Sequence, residues 1–324
     1  MQQIGLDFFL EKIHQARKRI NGYAFRTPAY KSFSVENTWL KLECYQPVRS
    51  FKIRGASNKI LSIKENERKE RGVITASSGN HGLAVAYVAH KLGIKATIVL
   101  PETVIPDKLE MIKSLSVNTV LFGNQQDERS KKADEISKNE GQIIIQPFND
   151  EEIIAGQGTC GLEIIEDVPD LESLFVPIGG GGLISGVASA VKLNKKTSHI
   201  KVIGVQPEGS SAMYESWKKG QLSSIAQSKT VADGLSVRRP GEITFSFVKR
   251  FVDEIMLVSD DEIMQATYQL LRKEHVLSEP SGAAALAALL KSRKETGTSS
   301  RSAVIVSGGN ISQEMLSRLL SNFK

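Results

Sequence analysis

The sequence predicts an α/β fold of two open, mainly parallel twisted sheets with flanking helices, and three observations predict it. Short hydrophobic runs alternate with helical stretches from residue 72 to about 148, the signature of parallel strands joined by crossover helices. The alternation starts again near residue 173. Several runs lead straight into glycine- or serine-rich turns, where a strand hands over to a helix. A chain of 324 residues exceeds the usual single-domain size, so two units are expected.

At the N-terminus, Leu6, Phe9, Leu10, Ile13, Ala16 and Ile20 recur at helical spacing, and Glu11 and Lys12 interrupt any apolar core a secretory leader would need. KENERKERG (64–72) mixes both charge signs and reads as a solvated helix face. Val73 to Thr75 is a short strand, and a helix through HGLAVAYVAHKLG stops at Gly93. ATIVL (96–100) is a buried strand bounded by Lys95 and Pro101. A helix from about Asp107 to Leu115, strand NTVLF (118–122), the polar helix DERSKKADEISKN and strand QIIIQ (142–146) complete the first series.

In the second series, SLFVPIGGGG (173–182) is a strand running into glycines ahead of the helix LISGVASAVKLN. HIKVIGVQP (199–207) is a strand, and a helix near Ala212 to Lys219 precedes a looser polar stretch. VDEIMLVS (252–259) is the next strand, and the helix DDEIMQATYQLLRKEH has an acidic first turn suited to its dipole. SGAAALAALLK is a helix of small, closely packing residues, and AVIVS, after the polar loop RKETGTSSR, is the last strand.

Composition excludes several classes. With 40% hydrophobic and 24% charged residues, the chain is neither disordered, collagenous nor a coiled coil. The net charge of +6 is mild and interspersed with acidic residues, without the clustering of a nucleic-acid binder. No apolar run reaches membrane-spanning length, so no membrane partner is expected. Cys44 and Cys160 are far apart and read as reduced thiols, and five scattered histidines form no zinc pattern. A cytoplasmic protein is expected.

Chemistry concentrates at four strand-to-helix junctions. Gly179 to Gly182 follow a hydrophobic strand directly; consecutive glycines let backbone amides converge, and the helix N-terminus adds positive potential, which suits a phosphate. The spacing fails the dinucleotide fingerprint, and the next strand ends at Gln206 where an acid should hold the ribose. SFKIRGA (50–56) sets Lys52 between Phe51 and Ile53; partial burial would lower its pKa and yield a usable amine, although a lysine snorkelling beside a Phe reads the same way. In SSGNHG (77–82), Ser77, Ser78, Gly79 and Asn80 can cap a helix or present donors to a carboxylate. SGGN (307–310) places Ser307 at the same carboxyl edge. A buried amine, a phosphate cradle, a carboxylate loop and a polar group on one face are what pyridoxal 5′-phosphate and an amino acid would demand.

KLECYQPVRSFKIRGA, ASSGNHG, IIAGQGTCGLEI, VPIGGGGLISG, ADGLSVRRPGE, EPSGAAALA and VSGGN occur in that order through nearly the whole chain. This ordered set resembles the fold-type II pyridoxal-phosphate enzymes, the serine/threonine dehydratase and serine racemase group. The resemblance implies a tryptophan-synthase-β-like fold with the cofactor in an interdomain cleft, residues 1–71 and 149–324 forming a large domain and 72–148 a small one. It implies that Lys52 carries the cofactor as a Schiff base and Phe51 packs against the pyridine ring. Asn80 would meet the ring hydroxyl, Gly179, Gly180, Gly181, Gly182 and Leu183 the phosphate, and Ser307 the ring nitrogen, while Ser77, Ser78, Gly79, Asn80 and His81 clasp the substrate carboxylate.

The implied activity is α,β-elimination, L-threonine giving 2-oxobutanoate and L-serine pyruvate, each with ammonia. Ser78 leaves an alternative open: a hydroxyl opposite Lys52 could return a proton from the other face, which is racemisation of serine or aspartate, or it could serve capping and substrate binding alone. Metal-using relatives place carboxylates where this chain has Gln206 and Ala212, so no metal is expected, Glu208 reading as a solvated acid. Glu279 before Pro280 reads as a helix-start acid close to the site. The chain ends 14 residues after Asn310, which suggests a short catabolic-type enzyme without a regulatory domain. The family implies a homodimer or homotetramer acting on a small amino acid.

Overall fold

The computed structural model describes residues 6–77, 79–104 and 106–322. Helix α1 (Leu6–Arg19) precedes strands β1 (Ala29–Lys31) and β2 (Thr38–Leu42), then helices α2 (Lys52–Ser62) and α3 (Glu65–Arg71). A four-stranded series follows: β3 (Val73–Ala76), α4 (Asn80–Leu92), β4 (Ala96–Leu100), α5 (Pro106–Lys113), β5 (Asn118–Leu121), α6 (Gln126–Glu140) and β6 (Ile143–Ile144). Next come α7 (Glu151–Asp167), β7 (Ser173–Pro177), α8 (Gly182–Lys192), β8 (Lys201–Pro207), α9 (Ala212–Lys219) and α10 (Glu242–Phe251). The chain closes with β9 (Glu254–Val258), α11 (Asp260–Lys273), α12 (Pro280–Thr296), β10 (Ser302–Val306) and α13 (Gln313–Asn322).

These strands form two sheets, as expected. The larger has the order β1-β2-β10-β7-β8-β9, parallel except for the edge strand β1, and the smaller the order β5-β4-β3-β6, all parallel. Strands β3, β4, β7 and β10 are buried along their full length, because helices cover both faces of a parallel sheet and leave no solvated side. That is why they read as continuous apolar runs.

Each sheet reverses its strand order once. In the larger sheet β7, β8 and β9 step one way while β10 lies on the other side of β7; in the smaller, β3, β4 and β5 step one way and β6 lies beyond β3. The crevice outside the carboxyl ends at such a switch point is where α/β sheets take ligands. Here those ends run into Gly179, Ser307, Ser77 and Ile145.

Several elements escaped the sequence reading. The β1–β2 hairpin and the helices α2, α7, α10 and α13 were not assigned, and helix α12 extends through RKET, which had been expected as loop. Strand QIIIQ shortens to β6, two residues long. Helix α7 is nearly all buried because its glycines allow close approach: a Cβ on Gly156 would sit 2.6 Å from the Arg54 carbonyl of α2, and one on Gly158 3.0 Å from the Gly186 carbonyl of α8. A glycine-rich segment therefore looks like poor helix by propensity, yet tertiary packing makes it one.

Beneath α2 lies a cluster of four buried charges. Arg54 donates to Glu43 through Nε and Nη2 at 2.7 and 2.8 Å, and to both oxygens of Glu163 at 2.7 Å each. Lys41 of β2 reaches Glu163 Oε2 at 2.7 Å. Burial alone would push the Glu43 carboxyl up, but the Arg54 guanidinium more than offsets it and holds the group below its ordinary range. Truncating one member leaves the others charged and unpaired. Arg54→Ala is expected to lower stability by about 3–5 kcal/mol, read as a fall in the urea midpoint; an unchanged midpoint would show the cluster to be dispensable.

Candidate active site

One cleft of about 910 Å³ collects the switch points of both sheets. Phe51, Lys52, Ser77, Gly79, Asn80, His81, the Gly179–Gly182 run, Leu183 and Ser307 all line it. Ser78 lies outside the described residues. The remaining residues singled out from sequence are thus brought together from positions up to 256 apart in the chain.

Lys52 is the first residue of α2, half-buried with Phe51 as its N-cap. Its Nζ donates to the Pro147 carbonyl at 3.0 Å and lies 5.1 Å from the centroid of the Phe51 ring. Burial lowers the ammonium pKa to about 8, with Glu279 pulling the other way. A carbonyl partner orients the amine without supplying the full charge that would keep it protonated.

The glycine loop follows β7 and opens α8, with Gly181 at φ +95°, a left-handed conformation that glycine adopts without strain. It is also held from behind. A Cβ on Gly180 would run into the Phe148 ring, and one on Gly181 would lie 2.6 Å from Met213 Cε. Thr244 Oγ1 donates to the Gly180 carbonyl at 2.7 Å. The first turn of α8 leaves amides without i−4 acceptors beside the cleft, so the loop is suited to an anion.

The 77–81 loop differs from expectation in one respect. Among the described residues no side chain caps α4, whose N-cap is Gly79. Ser77 Oγ instead accepts from the Gly79 amide at 3.4 Å, a local turn. Asn80 donates to Glu279 Oε1 at 2.6 Å, and its Oδ1 accepts from Asn310 Nδ2 at 2.7 Å. Glu279 does start α12, as expected, yet without a side-chain capping bond. Ser307 is 3% exposed; its Oγ lies 3.4 Å from the Ser281 carbonyl, and its own carbonyl accepts the Phe51 amide at 3.1 Å.

His81 is buried against β6, with Nε2 3.1 Å from the Ile145 carbonyl. That partner only accepts, so Nε2 bears the proton. Burial and then the Lys52 charge push its pKa down to about 3, the Ile145 bond opposing. Both thiols are buried, Cys44 pushed up to about 12 chiefly by burial, and Cys160 likewise raised. Neither is a reactive thiolate.

Where the sequence comparison led to a doubtful cation site, Gln206 uses both ends of its amide. Nε2 donates to the Ile178 carbonyl at 3.4 Å and Oε1 accepts from the Tyr214 amide at 2.8 Å. Ala212 is buried, and Glu208 lies in solvent 4.0 Å from Lys291 Nζ. Sequence reasoning missed Pro147, Phe148 and Asn149, which follow β6; they lie at the same kind of strand end as the four chosen motifs, and that position was the available signal. It also missed Arg129, which carries no signal in a run of charged helix residues.

An amine of lowered pKa, an anion cradle and a neutral hydroxyl in one cleft define an enzyme built around a phosphorylated aldehyde. The family model described as pyridoxal-phosphate dependent enzyme matches residues 20–308. The chain belongs to that family and uses pyridoxal 5′-phosphate as its cofactor. It is 43% identical over 317 residues to an L-threonine ammonia-lyase of Thermotoga maritima, covering 96% of this chain and 78% of that one. Over 321 residues it is 39% identical to a catabolic L-threonine dehydratase of Staphylococcus aureus, covering 97% and 92%. The maize serine racemase structure is similar with a TM-score of 0.90 at 34% identity, covering 97% of each chain.

The His81 pKa makes the protein acid-sensitive. Between pH 6.5 and about 3 the unfolded state binds a proton that the folded imidazole does not, so stability falls as pH drops through that window. His81→Gln is expected to flatten this slope in urea midpoints measured at pH 7, 6, 5 and 4; an unaltered slope would mean another group carries it.

Proposed function

We propose that this protein is an ammonia-lyase converting L-threonine to 2-oxobutanoate and ammonia, and L-serine to pyruvate and ammonia. The observation that carries the reading is the Lys52 amine, titrating near 8 and partnered by a carbonyl in the cleft that also holds the glycine cradle. The names of the Thermotoga maritima and Staphylococcus aureus relatives support threonine as substrate.

Bound in the cleft, pyridoxal 5′-phosphate supplies an aldehyde that condenses with amines and an electron sink for the α-carbon. The Gly179–Leu183 loop would hold its phosphate, Phe51 its ring face and Asn80 the ring hydroxyl. Ser307 offers the ring nitrogen a neutral hydroxyl rather than an acid, which favours prompt expulsion of the β-hydroxyl over a long-lived carbanion. Amides and side chains from Ser77 to His81, at the positive end of α4, take the substrate carboxylate and fix the Cα–H bond relative to Lys52. Lys52 takes the Cα proton, and with a pKa near 8 a useful fraction of the amine is free at neutral pH. Neutral His81 adds no competing charge beside it.

A second reading is kept for one reason, the likeness to the maize serine racemase. The Ser78 hydroxyl would then return a proton from the face opposite Lys52, giving D-serine alongside pyruvate. The proposal carries with it a cytoplasmic homodimer or homotetramer, with the large unit formed by 1–71 and 149–324 and the small one by 72–148. Among the described residues no helix is long and apolar enough to cross a membrane.

The test is an assay of the cofactor-loaded protein with L-threonine and L-serine, measuring 2-oxo acids and D-serine. Formation of 2-oxobutanoate is expected, and Lys52→Ala should lower its rate by at least about 10²–10⁴-fold. D-serine in excess over pyruvate would favour the racemase, and undiminished turnover by Lys52→Ala would sink the assignment of the base.

A further inference from the structure

Asn80, the first residue of α4, uses both ends of its amide within the protein. Nδ2 donates to Glu279 Oε1 at 2.6 Å, and Oδ1 accepts from Asn310 Nδ2 at 2.7 Å. Asn310 Nδ2 also donates to the Val48 carbonyl at 2.9 Å. These partners fix which end of each amide points where. A backbone carbonyl only accepts, so Asn310 must turn its NH₂ group to Val48. That same group faces Asn80, which must meet it with oxygen and leave its nitrogen to Glu279. A carboxylate likewise only accepts, so a flipped Asn80 would set oxygen against oxygen at one end and N–H against N–H at the other.

The surrounding backbone makes room for this clamp. Glu279, the N-cap of α12, is 5% exposed, and its amide donates to the Gly308 carbonyl at 3.1 Å. A Cβ on Gly308 would run into Glu279 Oε1 and lie 3.3 Å from Asn80 Nδ2. Glycine after Ser307 is thus what lets the carboxylate reach the amide. Asn80 and Glu279 line the cleft with Lys52, whereas Asn310 lines a second cavity of about 480 Å³ that Glu279 shares. Glu279 also raises the pKa of Lys52 against the effect of burial, so a direct action of its charge on the amine has to be told apart from an action through Asn80.

Asn80 Nδ2 carries a second hydrogen, and among the described residues nothing accepts it. We propose that Glu279 and Asn310 are positioning residues, holding the Asn80 side chain as a hydrogen-bond donor toward the cofactor's ring oxygen and so keeping that oxygen ionised. The inference rests on the placement of Asn80 against the ring hydroxyl given above, and it supplies what fixes that contact. An N–H donor favours an oxygen that has lost its proton over one that must itself donate. Both residues act through Asn80 rather than on the substrate.

The test is pyridoxal 5′-phosphate affinity and absorbance, measured on the full chain without substrate. The proteins compared are the parent, Glu279→Ala, Glu279→Gln, Asn80→Ala and the double variant of Glu279→Ala with Asn80→Ala. Absorbance of the loaded protein moves from the visible towards the near ultraviolet when the ring oxygen takes up a proton. Glu279→Ala is expected to weaken cofactor binding about tenfold, the scale of one charge-assisted hydrogen bond, and to move the band towards the near ultraviolet. Asn80→Ala should move it the same way. Adding Glu279→Ala to Asn80→Ala should cost less than about twofold more, because a residue acting through Asn80 then has nothing to position. Glu279→Gln keeps an oxygen that can accept from Asn80 and should restore the parent's band.

Losses that multiply in the double variant would overturn the proposal, since Glu279 would then act independently of Asn80. A Glu279→Gln protein that behaves like Glu279→Ala would overturn it too, assigning the effect to charge on Lys52. Where Glu279→Ala fails to fold, the same cycle with Asn310→Ala decides. There a loss of about threefold is expected for a neutral hydrogen bond, and again less than about twofold on top of Asn80→Ala. An Asn80→Ala protein with the parent's affinity and band would remove Asn80 from the cofactor and the proposal with it. That outcome counts against the placement of Asn80, whereas multiplied losses count against the clamp alone.

Discussion

The structure depends on how the start of α2 is held. Lys52 must present an amine to the cleft, yet it stands on the first turn of a helix that packs against both α4 of the small sheet and α7 of the large one. Arg54, two residues on, fastens that turn to Glu43 behind β2 and to Glu163 of α7 in the protein interior. Lys41 and Thr27 complete the cluster, Lys41 Nζ donating to the Thr27 carbonyl at 2.6 Å. Two positive and two negative side chains offset one another, so the charges satisfy each other's hydrogen bonds and leave no net charge in a poorly solvating interior. What they contribute is position: the helix cannot turn about its axis without breaking several charge-assisted bonds.

Around that anchor the topology sets out the chemistry. A parallel sheet needs crossover helices, and one reversal of strand order opens a crevice where two neighbouring loops diverge. This chain makes two such reversals and turns both toward one cleft. The larger sheet supplies the glycine loop and Ser307, and the smaller supplies the loop that opens α4 and the Pro147 carbonyl that accepts from Lys52. Glu279, Asn80 and Asn310 stitch the two sides together by hydrogen bonds of 2.6 and 2.7 Å. Closeness of the two sheets at this seam is thus tied to the same residues that face the ligand.

Electrostatically the cleft is arranged by subtraction. Lys52 has a carbonyl partner where a carboxylate would have kept it protonated, and His81 is held neutral beside it. Arg129 is buried at the cleft, and its neighbouring acid, Glu128, is engaged in capping its own helix. Buried polar groups in such a site shape discrimination between substrates more than stability, because a ligand lacking the matching group leaves them unsatisfied.

Much of this was legible in the chain. The strand ends that matter, Gly179 to Gly182, Ser77 to His81 and Ser307, could be read because glycine and serine directly after an apolar run have a local cause. Lys52 between Phe51 and Ile53 likewise announced its partial burial. By contrast, helix α7 was hidden because its glycines serve contacts with α2 and α8, and propensity reports only the isolated chain. The buried state of Arg54, Lys41 and Glu163 was hidden for the same reason: a charged residue looks solvated until its partners, here up to 122 residues away, are brought to it. Capping by Ser77 looked plausible because sequence shows a hydroxyl near a helix start but not the backbone angle that gave the cap to Gly79. The sequence by itself determined which local segments could bind an anion, offer an amine or form a buried strand, since those depend on neighbours along the chain. Only the tertiary structure decided which charges are buried, which donors stay unmet and which strand ends share a cleft, because burial and pairing are set by residues distant in sequence.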